Sequence, residues 1–290
     1  MNTDSIKTID LHMHTTVSDG TDTPEEILDK VRKTGLDCFS VTDHDAILAS
    51  RRILKIIRPD DPAFITGVEF SCKDSLGKYH ILGYGYDPEA SPIQAVVARG
   101  HQLRMGKMHA RVDFLREHFH MTFSEDSLNQ LFALDNPGKP HLGNLMVEYG
   151  YAETKEDAID HYINLLKTEN AYVDPKEAIK GILESGGIPV LAHPSFGSGS
   201  QRIRGQEMEL RLKHLMDYGL KGLEAYYSGF DEGIIRELLD FADRYDLYVT
   251  AGSDYHGRNK KISLGQTNLA CVEEGLEGLE RFLADVISGD

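Results

Sequence analysis

Short apolar runs alternate with amphipathic helical patterns along most of this 290-residue chain, which confines it to an α/β fold built on parallel strands. Strands are expected over residues 6–12, 36–42, 63–70, 79–86, 188–192, 222–227 and 247–251. Pro24 opens a helix behind Thr23, an N-cap residue, and Gly35 ends it; further helices are expected over 46–57, 175–185 and 231–245. Between about 87 and 173 the rhythm breaks. Helical patterns cover 92–117, 124–134, 141–149 and 155–166, with no convincing strand among them. Because the alternation then resumes, the flanks are read as one discontinuous barrel, 1–87 and 174–290, carrying an inserted helical domain at 88–173.

The chain has 13 histidines, and their placement says more than their number. His12 and His14 follow the first strand, and Asp43 and His44 the second. Glu69 closes the third, His80 lies in the fourth, His193 ends the strand over 188–192, and Asp254 and His256 follow the last. In a barrel of parallel strands these ends converge on one rim, where loops build the active site. His12 and His14 are alternate residues of an extended segment, so they point the same way and suit a ligand pair. Imidazole nitrogen with carboxylate oxygen suits zinc, manganese or iron, and the lack of thiolate ligands argues against a structural zinc site. A lone His-x-His is a weak signal. Alongside Ser18-Asp19-Gly20, Thr42-Asp43-His44, Ala192-His193-Pro194 and Ser253-Asp254-Tyr255-His256, it points to a metal cluster.

Composition narrows the partners. A formal charge of −16 argues against a broad nucleic-acid footprint, and so against long duplexes. A small anion is still open, because bound divalent cations reverse the local sign of an acidic pocket. Residues 1–10 lack the apolar core of a signal peptide, and no run is long enough to span a bilayer, so no membrane role is expected. Cys38, Cys72 and Cys271 are scattered without zinc or redox spacing, which fits reduced thiols in a cytoplasmic protein.

The ordered set His12-x-His14, Asp19, His44, Glu69, His80, His193 and Asp254-x-His256 resembles the PHP (polymerase and histidinol phosphatase) family, over both barrel segments. The resemblance implies a distorted, TIM-like β/α barrel of seven strands with two to three divalent transition metals: manganese, iron or zinc. Carried over residue by residue, it implies that His12, His14, Glu69 and Asp254 hold a first metal. Glu69 would bridge to a second, completed by His80 and His193, and Asp19, His44 and His256 would hold a third. Some members have a histidine where Asp19 stands; the aspartate makes that site harder and more tolerant of manganese or iron. The helical insert resembles that of the family's stand-alone nucleotide and RNA-end phosphoesterases. The implied chemistry is hydrolysis by a metal-activated hydroxide, with Glu69, Asp254 and His193 as the catalytic set.

Other residues divide between function and packing. Lys139 and His141 lie in the turn Pro137-Gly138-Lys139-Pro140-His141 that opens a helix, a setting that suits a substrate phosphate. Arg202 and Arg204 follow the loop after His193, where a substrate anion and plain solvent are both open to them. Arg104, Lys107 and Arg111 share a helix face, read chiefly as solvated. Tyr226 and Tyr227 end a strand on the rim, to stack on a base or to pack the core. Asp43 suits a partner that orients a histidine ring or a cap for its own loop. His101, His109, His118, His120, His161 and His214 read as surface or packing residues.

The leading reading is therefore a phosphoesterase acting on a small phosphorylated substrate, a 3′,5′-bisphosphate-like nucleotide or a short RNA 5′ end. Histidinol phosphate is an alternative substrate, but stand-alone histidinol phosphatases of the family are not expected to carry this insert. Amide or ring hydrolysis on a metal barrel often uses a bridging carbamylated lysine, and no lysine stands at a matching strand end. A non-catalytic or proofreading role beside a polymerase ranks last, since all nine expected ligands remain and no polymerase segment accompanies them.

Overall fold

Thr23 caps the first helix reciprocally: its hydroxyl accepts from the Glu26 N–H, and the Glu26 carboxylate accepts from the Thr23 N–H. Helix α1 (Pro24–Thr34) then ends on Gly35, whose φ of 71° is the left-handed turn that glycine adopts without strain. A computed structural model describes residues 8–167, 171–197, 201–272 and 276–288. In chain order it continues with β1 (Ile9–Asp10) ahead of α1, then β2 (Cys38–Val41), α2 (Leu48–Ile56), β3 (Ala63–Lys73) and β4 (Lys78–Tyr84). Four helices follow, α3 (Ser91–Phe119), α4 (Glu125–Phe132), α5 (Lys139–Glu148) and α6 (Lys155–His161). The alternation resumes with α7 (Pro175–Glu184), β5 (Ile188–Leu191), α8 (Gly205–Met216), β6 (Gly222–Tyr227), α9 (Glu232–Arg244), β7 (Tyr248–Gly252) and α10 (Glu277–Ser288).

The seven strands form one sheet in sequence order, a nearly closed TIM-like barrel. The seam between β1 and β7 is bridged by Leu11 N–H to Ala251 O at 2.9 Å and Asp254 N–H to His12 O at 2.8 Å. One expectation is corrected. β4 runs antiparallel to both β3 and β5, whereas the remaining pairs are parallel. The reason is the connection: a turn over residues 74–77, closed by Asp74 N–H to Gly77 O, is far too short for a parallel crossover. The reversal brings the start of β4, and His80 with it, to the rim where the parallel strands end. Helices α8 and α10 are additional to those read from the sequence. Residues 6–7 of the expected first strand, and residues 198–200 ahead of Arg202, lie outside the described residues.

The core has separate parts. One apolar cluster joins the barrel strands to α7, α8, α9 and α10, with Phe70, Ile81, Leu223 and Phe282 fully buried. A second cluster packs Met108, Val112, Leu115, Leu131, Leu142, Met146 and Ile163 among α3, α4, α5, α6 and the segment after them. Helix α3 belongs to both: Ile93 and Val96 pack on the barrel, Met108 to Leu115 on the helical cluster. Among the described residues, no helix is long and apolar enough to cross a membrane.

Candidate active site

The rim ligands are set by backbone pairing across the seam. His14 N–H donates to Tyr255 O at 2.8 Å, so the segment after β1 lies alongside the segment after β7. This interlocks His12 and His14 with Asp254 and His256. The approach needs glycine at position 252: a Cβ there would stand 2.2 Å from the His12 Cβ and 2.4 Å from a Glu224 oxygen. Asp254 (φ 58°) and His193 (φ 29°) hold left-handed backbone, a strain of about 1–3 kcal/mol each that clusters at functional sites.

All nine expected ligand residues meet here. Glu69 is central. Its Oε2 faces His12 Nε2 at 3.3 Å, His14 Nε2 at 3.1 Å and His44 Nδ1 at 3.1 Å. Its Oε1 faces His80 Nδ1 at 2.7 Å and His193 Nε2 at 3.2 Å. Asp254 Oδ1 lies 3.6 Å from His12 Nε2, 3.4 Å from His14 Nε2 and 3.3 Å from His256 Nδ1. Ligand atoms of His14, Asp19, His44 and His256 lie within 4.8 Å of one another, as do those of His12, His14 and Asp254, and those of His44, Glu69 and His80. Burial raises the tendency of Glu69 to protonate, yet the surrounding charge of His44, His80 and His12 holds it well below the ordinary carboxylate range. Asp254 is held low against burial by Lys260, His12 and His256.

The donor set fits divalent metal. His12 Nε2, His14 Nε2 and His44 Nδ1 are buried and make no hydrogen bond, which an imidazole facing no ligand would not tolerate. The opposite His12 nitrogen, Nδ1, is tied to the buried Glu224 carboxylate at 2.9 Å, the outer partner that orients a metal-binding imidazole. Glu224 also accepts from the His193 N–H at 2.8 Å. Nothing in the sequence marks Glu224, because it sits mid-strand in β6 like any buried residue. Two further partners join it: the hydroxyl of Tyr227, a residue expected on the rim but in another role, donates to Asp254 Oδ2 at 2.7 Å, and Lys260 Nζ, which no motif marks, donates to the same oxygen. Tyr227 is thus a rim-facing donor, and Tyr226 is fully buried in the core.

Asp43 caps its loop. It accepts from Thr15 N–H at 2.8 Å and from the Thr15 and Ser18 hydroxyls at 2.7 and 2.6 Å. It reaches a histidine only through Ser18, whose oxygen lies 3.3 Å from His14 Nδ1. The other seven histidines do not join the cluster; His109 stacks on Phe132 and His214 pairs with Asp74.

Beside His80 and His193 lies a cavity of about 610 Å³ lined by Lys73, Lys78, Arg111, Lys139, Lys167 and Arg211, together with Tyr172 and Phe196. In an acidic chain this is a concentrated cationic patch. The stripe Arg104, Lys107 and Arg111 is not the solvated face that helical spacing suggested; all three are buried, because the barrel and Tyr172 close over that face. Arg104 pairs with Asp45 at 2.8 Å and reaches Ser71. Lys107 sits 4.2 Å over the Tyr172 ring, and burial with Arg104 nearby pulls its pKa down to about 7. Arg111 faces the cavity, and among the described residues no carboxylate pairs with it. Burial, with Arg111 and Lys78 close by, brings Lys139 down to about 8. His141 accepts from Gly138 N–H at 3.0 Å through Nδ1, which caps α5. Arg202 does not line the cavity: it is exposed and stacks on Phe196, 4.1 Å from the ring centre.

A barrel rim that turns unpaired ring nitrogens and carboxylates inward, beside a cationic cavity, defines a metal-dependent phosphoesterase. The chain belongs to the PHP domain family, whose model matches residues 10–178. It is 28% identical over 261 residues to a phosphoribosyl 1,2-cyclic phosphate 1,2-diphosphodiesterase of Eggerthella lenta, covering 87% of this chain and 95% of that one. It is also 28% identical to a 5′-3′ exoribonuclease of Salmonella typhimurium, covering 93% and 92%. A solved structure from Bifidobacterium adolescentis, described as a metal-dependent phosphoesterase, superposes with a TM-score of 0.76 at 28% identity over 95% of each chain.

Proposed function

We propose that this enzyme hydrolyses a phosphate ester of a ribose-bearing substrate that carries a second phosphate, such as a nucleoside 3′,5′-bisphosphate or a short RNA 5′ end. The observation that carries this reading is Arg111: a buried guanidinium beside Lys139 in the cavity, which lacks a protein anion among the described residues. The two relatives named above are a phosphoribosyl cyclic phosphate diphosphodiesterase and an exoribonuclease, and both names point to ribose-bearing phosphate esters, which supports the same class. Divalent ions, held by the eight rim residues of the three groups drawn above with His193 beside Glu69, would polarise the phosphoryl oxygens and lower the pKa of water.

The chain's own residues divide the remaining work. Glu69, Asp254 and His193 would hold the ions that position the scissile phosphate. Glu224, Tyr227 and Lys260 keep His12, His193 and Asp254 in place. Lys139 and Arg111 grip the distant phosphate, and Tyr172 and Phe196 wall the space between; His141 does not line this cavity and caps α5 instead. In this reading residues 88–173 form the inserted domain that supplies the grip, supported by their separate apolar cluster, and 1–87 with 174–290 form the barrel. A cytoplasmic setting is supported by the buried free thiols Cys38 and Cys72.

The test compares kcat/KM of wild type, Lys139→Ala and Arg111→Met on a nucleoside 3′,5′-bisphosphate and on the matching monophosphate, with manganese present. A charged hydrogen bond is worth about 1.5–3 kcal/mol, so each variant should lose roughly ten- to a hundredfold on the bisphosphate alone. Equal losses on both substrates would overturn the second-phosphate reading.

A further inference from the structure

One group of ligand side chains, His14, Asp19, His44 and His256, is not held by the barrel alone. Asn136, between α4 and α5, is 1% exposed and donates its amide to the His44 carbonyl. Its own oxygen faces His101 Nδ1 of α3 at 3.3 Å. Lys155, the first residue of α6, donates to the Asn259 carbonyl at 2.9 Å, and Asn259 in turn donates to the Asp19 carbonyl at 2.8 Å. Gly138 presses on the same aspartate: a Cβ there would lie 3.3 Å from the Asp19 Cβ and carboxylate. The helical region thus touches the backbone of His44, the side chain of Asp19 and the turn that follows His256, and through Asn259 of that turn it reaches the Asp19 backbone. The other ligands are held differently. His12, His193 and Asp254 take their partners from Glu224, Tyr227 and Lys260, all on barrel segments. Among the described residues, no hydrogen bond from α3 through α6 reaches His12, Glu69, His80, His193 or Asp254.

We infer that Asn136 and Lys155 are positioning residues for the His14–Asp19–His44–His256 site, so that docking of the helical insert and cation occupancy of that one site are thermodynamically linked. The inference rests on the proposed ligand set. Two loops, each held at a carbonyl, present the Asp19 carboxylate and the His44 imidazole in a fixed arrangement; released, they must be ordered by the ion itself, which lowers affinity. By reciprocity, filling the site tightens the docked insert. The insert reaches Glu69 by a separate tie, from Arg104 to Asp45, whose N–H donates to the Glu69 carbonyl at 2.9 Å; Asn136 and Lys155 take no part in it, so their variants leave it intact.

Chelator-stripped full-length wild type, Asn136→Ala, Lys155→Met and the double variant are titrated with manganese, with free ion followed by electron paramagnetic resonance. Hydrogen exchange of residues 91–165 is recorded at each added equivalent. The wild type should bind three equivalents, and exchange should slow on the last. In the double variant the weakest equivalent should lose roughly tenfold in affinity, the scale of one buried hydrogen bond, while the other two are unchanged. Lys155→Arg should restore it relative to Lys155→Met. Retention of the two tighter equivalents shows that the variants fold. Three unchanged equivalents in the double variant, or wild-type exchange indifferent to the last equivalent, would overturn the linkage while leaving the ligand set intact. A wild type that binds fewer than three would instead overturn the ligand set, and this inference with it.

Discussion

Tyr227 and Asp254 are joined by a 2.7 Å hydrogen bond that occupies one carboxylate oxygen and leaves the other turned to His12, His14 and His256. Burial first, and then the Asp254 charge, push the Tyr227 phenol well above its usual value, so it stays a donor at any working pH. Tyr227→Phe keeps the ring packed against Phe196 and Phe230 and removes only this bond. We expect kcat to fall about tenfold and manganese affinity to weaken, with KM nearly unchanged. Steady-state kinetics at two manganese concentrations check it. Wild-type kcat and affinity would mean that Lys260 alone orients the carboxylate.

Glu69→Gln removes the charge shared by five imidazoles. The purified variant should hold less than one equivalent of transition metal, against more than one in wild type, and lose turnover while its circular dichroism is retained. Elemental analysis after manganese reconstitution decides it. Full metal content in the variant would displace Glu69 from the centre of the cluster. Asp254→Asn should also abolish turnover, with a milder loss of metal.

The pH dependence follows from Lys139. Its pKa, brought down to about 8 chiefly by burial, makes the free enzyme lose this cation as pH rises through about 8. For a bisphosphate, kcat/KM should therefore fall above that pH, with no matching limb for a monophosphate. Lys139→Arg, charged throughout, should remove the limb. The stability sign runs the same way. A folded-state value below the ordinary 10.5 penalises the folded protein fully below about 8, and the penalty lifts as pH rises toward 10.5. Lys139→Met should accordingly raise Tm at neutral pH, with the gain vanishing near 10.5. A gain that is constant with pH would point to packing rather than charge.

Asp45→Ala strands Arg104. The pair is buried on both sides, and removing the carboxylate leaves a guanidinium with only Ser71 for company. Such a break costs about 3–5 kcal/mol. Urea melts should show a lower midpoint of that size, and Arg104→Met with Asp45→Ala should recover part of it.

The rim was legible because strands end where hydrophobic runs stop, and a histidine or carboxylate at each stop can be counted without coordinates. Direction was not, since alternation looks the same read either way; only the short connection around Gly77 carried that information. Glu224 was invisible for a different reason. A carboxylate inside a buried strand shows its purpose only when His12, 212 positions away in sequence, is placed against it. Arg104, Lys107 and Arg111 misled in the same manner, because helical spacing fixes a shared face but not what covers it. Lys139 stands in its expected turn and lines the cavity, while Arg202, read as open to substrate or solvent, is exposed and stacks on Phe196, a ring that no local pattern pairs with it.

The reversed fourth strand decides how far the next helix must reach. Because β4 delivers the chain to the end of the barrel away from the rim, α3 must climb back past the whole sheet; its 29 residues span about 43 Å at 1.5 Å per residue. It starts beside Ser185, locks to the rim at Arg104, and continues to Arg111 in the cavity. On the proposed reading, the helix between Arg104 and Arg111 is a ruler and a protractor at once: its rise would set the gap from metal cluster to distant phosphate, and its phase would aim the cation. One residue inserted there would turn Arg111 by about 100° away from the cavity while leaving every barrel strand untouched. If the proposed grip is right, substrate length is written in the register of a single helix.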